Sequence, residues 1–106
     1  PEGAAKLDRA PTLIAVTSVR AEDPVQDEED LLASAAATYA VLLGAHARGL
    51  AGYWRTPEVL RTPAGRTAVG IPENEHFVGL VHLGQPRQLK DPPERAPLDA
   101  VVEYLD

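Results

Sequence analysis

Few of the side chains able to do chemistry stand in a catalytic arrangement. Ser18 lies in a β-branched run and Ser34 in an Ala-rich one, and neither has the flanking glycines of a nucleophile elbow. His76 and His82 fall on one face of a strand, yet six residues of strand span roughly 20 Å, too far for two ligands of one zinc ion. The acidic run Asp27, Glu28, Glu29 and Asp30 has the charge for calcium, but it precedes an apolar helical stretch, where negative charge complements the helix dipole. The chain has no cysteine, which rules out thiolate chemistry and cysteine zinc sites. No catalytic side chain and no metal site is therefore expected. What remains is arginine. Arg48 and Arg55 stand on either side of a turn containing Gly49 and Gly52, whose glycines allow close backbone approach. An arginine between Trp54 and a helix-capping Thr56 calls for an anionic or carbonyl partner.

These residues need elements to hold them. Residues 28–57 form the organising stretch: acids first, then about twenty residues of Ala and Leu with no proline, then Arg48-Gly49-Leu50. Leu32, Tyr39, Leu42, Leu43 and Leu50 recur at helical spacing with Ala between them. So apolar a circumference predicts one long buried helix, with Gly49 as its left-handed cap. It is short for a membrane span, and His46 and Arg48 interrupt it. Residues 1–9 read as a polar lead-in, residues 12–19 as a buried strand and residues 20–26 as a loop containing Pro24. Residues 49–53 read as a turn. Thr56-Pro57-Glu58 and Thr62-Pro63 are two helix starts, with Gly70 ending the second. Residues 76–83 alternate as a second strand, residues 85–97 are an extended arm rich in proline and charge, and residues 101–105 are a last strand or one helical turn. The fold class is α+β.

The stretch Gly44-Ala45-His46-Ala47-Arg48-Gly49 followed by Trp54-Arg55-Thr56 resembles the core helix and following loop of the FMN-dependent nitroreductase family, in its compact members with a Trp-Arg-Thr/Ser turn. Three further pieces match in order: Ala10-Pro11-Thr12-Leu13-Ile14-Ala15-Val16, then Gly70-Ile71-Pro72-Glu73, then Phe77-Val78-Gly79-Leu80-Val81-His82-Leu83-Gly84. The resemblance implies a mixed β-sheet flanked by helices, in a homodimer whose tails wrap the neighbouring subunit. It implies FMN as cofactor and NADH or NADPH as co-substrate, with electrons passed in ping-pong fashion to a nitro, quinone or similar small-molecule acceptor. On this resemblance Trp54, Arg55 and Thr56 meet FMN. Gly44, Ala45, His46, Ala47, Arg48 and Gly49 meet the nicotinamide nucleotide. Read without it, Trp54 is equally a core aromatic, His46 a hydrogen-bonded core histidine, and Arg48 the complement of a helix end.

Family members are nearly twice as long, and their first half carries an Arg-Arg-Ser-x-Arg segment that grips the FMN phosphate. No such segment occurs in this chain, where Arg9 and Arg20 stand alone. The 106 residues have no methionine. They are accordingly expected to be the C-terminal part of a single nitroreductase-like domain, with residues 85–106 as arm and tail, rather than a naturally shortened relative. A chain this short buries only roughly 60–68% of its unfolded surface, so a partner is expected. A net charge of −6 argues against nucleic acid or an anionic membrane as that partner. The cysteine-free composition fits a cytoplasmic setting. Two other functions share the scaffold: a cofactor-free dimerisation module, and a small-molecule binder without turnover.

Overall fold

The computed structural model describes residues 10–106, so the polar lead-in at residues 1–9 lies outside the described residues. The run TLIAVTSV forms β1 (Thr12–Val19), the span its β-branched content predicts. The Val/Leu run near residue 80 forms β3 (Glu75–Gly84), and AGYWR forms β2 (Ala51–Arg55). The sheet order is β1-β3-β2, with both pairings antiparallel. The parallel pairing of a mixed sheet thus involves none of the described strands. β3 is central and holds the core, with Val81 fully buried and Val78 and Leu80 nearly so. Between Val16 and Thr17 the register slips, because β3 carries one residue more than β1.

Three local expectations fail for identifiable reasons. Residues 49–53 are not all turn: tertiary pairing with β3 draws Ala51 and Gly52 into a strand despite their weak β propensity. Thr56 is not a cap, since Pro57 leads into a short 3-10 helix (Glu58–Arg61) with no side-chain capping bond. Nor is Pro24 in a loop. It is the first residue of α1 (Pro24–Ala47), whose N-cap is Asp23. Proline suits that position because its missing N–H has no intrahelical partner there. The Asp23 carboxylate accepts from the Gln26 amide at 3.1 Å.

The C-terminus of α1 follows expectation. Gly49 has φ +76°, and the Leu50 and Gly49 amides donate to the Ala45 and His46 carbonyls at 2.9 and 3.0 Å, a Schellman closure. Thr62 likewise caps α2 (Pro63–Val69), accepting from the Gly65 amide, and Gly70 ends it in the left-handed conformation.

The expectation of one long buried helix is corrected. α1 touches the sheet along a narrow stripe, burying Thr38 and Ala45, while Leu42 presses on the backbone of Gly52. Leu32, Tyr39 and Leu43 are 62%, 57% and 53% exposed. A three-stranded sheet covers one side of a helix, and no second layer lies against the other among the described residues. For the same reason β1 is an exposed edge strand, with Leu13 and Ile14 uncovered rather than buried. By length and composition α1 could also cross a membrane, but here its contact side rests on the sheet. The arm from residue 85 onward has no strand. Its one element is a 3-10 turn (Leu98–Ala100), three residues before the expected position, and the tail around it is exposed.

Candidate functional site

Strand alternation decides what Trp54 and Arg55 can do, because neighbours in β2 point to opposite faces of the sheet. Gly52 and Trp54 share the face that carries α1. The indole lies over Gly79 of β3, so close that a Cβ there would come within 1.9 Å of its Nε1. Its N–H donates to the Val78 carbonyl at 3.3 Å. Trp54 is therefore a packed aromatic whose polar handle has a protein partner. Gly79 makes room for it, and sequence reading assigned Gly79 no such role. The signal was available: a glycine inside an apolar strand marks close approach.

Arg55 projects from the other face together with Tyr53. The register sets Tyr53 opposite His82 and Arg55 opposite Leu80. The guanidinium carbon sits 5.8 Å from the centroid of the Tyr53 ring, within cation–π range. Its Nη1 is buried and has no hydrogen-bond partner among the described residues. Tyr53 also lines a cavity of about 270 Å³ that reaches over buried His82 to Gln85 and Arg87. This face combines a fixed cation with a lined hollow. Thr56 lies beyond the strand end, exposed and with no hydrogen bond of its side chain among the described residues. Trp54, Arg55 and Thr56 are thus adjacent in sequence without presenting one common surface.

Gly44, Ala45, His46, Ala47, Arg48 and Gly49 make up the last turn of α1 and its closure. The amides of Arg48, Gly49 and Leu50 already donate to helix carbonyls. This end therefore offers a nucleotide side chains rather than free backbone amides, at the negative pole of the helix dipole. His46 is exposed rather than in the core, and with Gly49 and Lys90 it lines a second hollow of about 290 Å³ beneath the arm. Arg48 donates to the Gly44 carbonyl at 3.1 Å, serving the helix end.

Asp27 and His76 form a structural pair. The His76 ring and the Asp27 carboxylate are 2.8 Å apart across 49 residues of chain, a pairing no local pattern announces. Asp27 also accepts from the Ala21 amide at 2.8 Å. That backbone bond, then the His76 bond, holds its carboxyl below the usual value. Among the described residues no cluster of His, Asp and Glu could hold a metal ion.

The family model for the Nitroreductase family matches residues 2–85. Two curated relatives, YdjA of Escherichia coli K12 and of Escherichia coli O157:H7, both named as NAD(P)H nitroreductases, are 35% identical over 83 residues, which is 77% of this chain and 45% of theirs. In fold, the crystal structure of a nitroreductase-like family protein from Bacillus cereus superimposes with a TM-score of 0.85 at 24% identity, over 98% of this chain and 57% of that one. The chain therefore spans about half the length of the proteins it matches. With the helix, the three-stranded sheet and the matched residues all in agreement, the chain belongs to the Nitroreductase family.

Proposed function

We propose that this chain serves an FMN-dependent NAD(P)H oxidoreductase that passes electrons to a nitro, quinone or similar small acceptor. Family membership supports the oxidoreductase role. The observation that carries the assignment of the site is the buried Arg55 Nη1, which lacks an acceptor among the described residues. A buried donor on a permanent cation is costly unless an anion or carbonyl meets it, and an isoalloxazine edge or a phosphate supplies one. When bound, FMN supplies the two-electron exchange between the nicotinamide and the acceptor.

The chain's own residues bind and orient. Arg55 offers the charge-assisted donor, Tyr53 holds the guanidinium plane from one side, and Trp54 fixes β2 against β3. Thr56 follows directly and completes the FMN segment. Gly44, Ala45, His46, Ala47, Arg48 and Gly49 form the side proposed for NAD(P)H, through His46 and Arg48. No side chain of this chain is assigned a proton-transfer step. The reading includes a cytoplasmic homodimer, for which the exposed Leu32, Tyr39 and Leu43 of α1 provide an apolar surface.

The test is Arg55→Ala and Arg55→Lys in the full-length protein, with FMN affinity measured by flavin fluorescence and folding checked by thermal melting. One charge-assisted contact contributes roughly 1.5–3 kcal/mol, so Arg55→Ala should weaken FMN about tenfold or more, with Arg55→Lys between. Unchanged affinity in Arg55→Ala refutes the assignment of this segment.

A further inference from the structure

Three arginines with no carboxylate in ion-pair range among the described residues line one cleft. The cleft encloses about 270 Å³ between the end of β1, the 3-10 helix and α2, and is lined by Arg20, Arg61, Arg66 and Thr67 over buried Ile71. It shares no lining residue with the cavity beside Tyr53. Arg66 is fixed: its Nη2 donates to the Pro72 and Glu75 carbonyls, both at 2.6 Å, which leaves its remaining N–H groups without a partner among the described residues. Arg20 is anchored at its backbone, where its amide donates to the Asn74 carbonyl at 2.8 Å. Among the described residues the Arg20 and Arg61 side chains make no hydrogen bond. None of the three lies within ion-pair distance of a described carboxylate. Glu73 lines the cleft without closing on any of them, and Asp27, which feels the Arg20 charge, is bonded to Ala21 and His76.

In a chain of net charge −6, carboxylates are plentiful, so three arginines lining one cleft with no described carboxylate in ion-pair range are a local excess of positive charge. Positive charges around one cleft favour an anion within it. We propose that this cleft binds a phosphate group, whose several acceptor oxygens and double charge suit the arginines that line it. It is independent of the flavin assignment, since it uses none of those residues.

Inorganic phosphate is titrated into the purified chain by calorimetry at low ionic strength, with chloride matched. Arg20→Ala and Arg61→Ala should each weaken binding about tenfold or more, while Arg95→Ala, on the exposed arm, should not. The Arg20 and Arg61 side chains are exposed and bond nothing among the described residues, so both variants should keep the native melting temperature, which is measured alongside. Adenosine 2′-phosphate is titrated in parallel. Tighter binding than inorganic phosphate, lost equally in Arg61→Ala, assigns the group to a nucleotide. Binding no tighter assigns it to free phosphate, and either result supports the site. No heat with the native chain overturns the proposal, as does an Arg95→Ala loss equal to that of Arg61→Ala, which would mark diffuse charge attraction.

Discussion

At the scale of single residues, the pair Trp54 and Gly79 shows how a site is held. The indole occupies the space a side chain at position 79 would take, so Gly79→Ala forces either the ring or the strand to move. Overpacking of this kind should cost about 1–3 kcal/mol. Trp54 is the only tryptophan, so its emission follows urea unfolding and should shift red in the variant as the indole leaves its place. Asp27 gives a prediction with a sign. Its carboxyl is held below the ordinary value of 3.8 by the Ala21 amide and then by His76. A depressed carboxyl contributes stability that is present above the unfolded value and lost as pH falls through the lower folded one. Asp27→Asn should therefore lower the urea midpoint near neutral pH and converge on the native protein in acid well below pH 3.8. A constant difference at all pH values would show that packing rather than charge is at work. The sequence marks Arg55 as an arginine whose setting calls for a partner, and its Nη1 is buried with none among the described residues. The opposition of Trp54 and Arg55 was not legible there, because it depends on β2 being a strand, which only its pairing with β3 determines. Nor was the cluster of Arg20, Arg61 and Arg66, which three separate elements bring together.

At the scale of elements, what was legible is what the chain encodes locally. β1 occupies the residues its β-branched run marks, β3 exceeds the alternating run by one residue at each end, and Gly49 and Gly70 both close helices with positive φ. What was not legible depends on distant contacts: the strand at Ala51–Arg55, and a helix exposed on one side for want of a second layer. Capping makes the difference measurable. Thr62 accepts from the Gly65 amide, so Thr62→Ala should cost about 1 kcal/mol, while Thr56→Ala, which removes no cap, should leave the urea midpoint unchanged. The same loss in both would mean that Thr56 has a capping role after all. Gly49→Ala should also cost about 1 kcal/mol, and for a different reason: nothing lies near its missing Cβ, so the penalty comes from the left-handed backbone alone.

At the scale of the molecule, the exposed side of α1 and the uncovered β1 edge need cover. A twofold dimer in solution is the expected outcome, and a monodisperse monomer by light scattering at micromolar concentration refutes it. Whether the 106 residues also hold the cofactor unaided turns on where their cations are. An FMN phosphate needs several donors converging near the flavin ring. Arg48 is engaged with the Gly44 carbonyl. Arg55 stands beside Tyr53 as a single guanidinium. Arg61 and Arg66 line one cleft with Arg20, and that cleft shares no lining residue with the Tyr53 cavity. Ring contact and phosphate contact are therefore not offered together. These residues alone should bind FMN weakly and lose it on desalting, leaving well under one flavin per chain in the absorption spectrum. Co-expression with a segment carrying the basic Arg-Arg-Ser-x-Arg pattern should restore bound flavin and NAD(P)H oxidation together. A full equivalent of flavin retained by the 106 residues, with turnover, would show instead that Arg55 and its neighbours suffice for both ends of the cofactor.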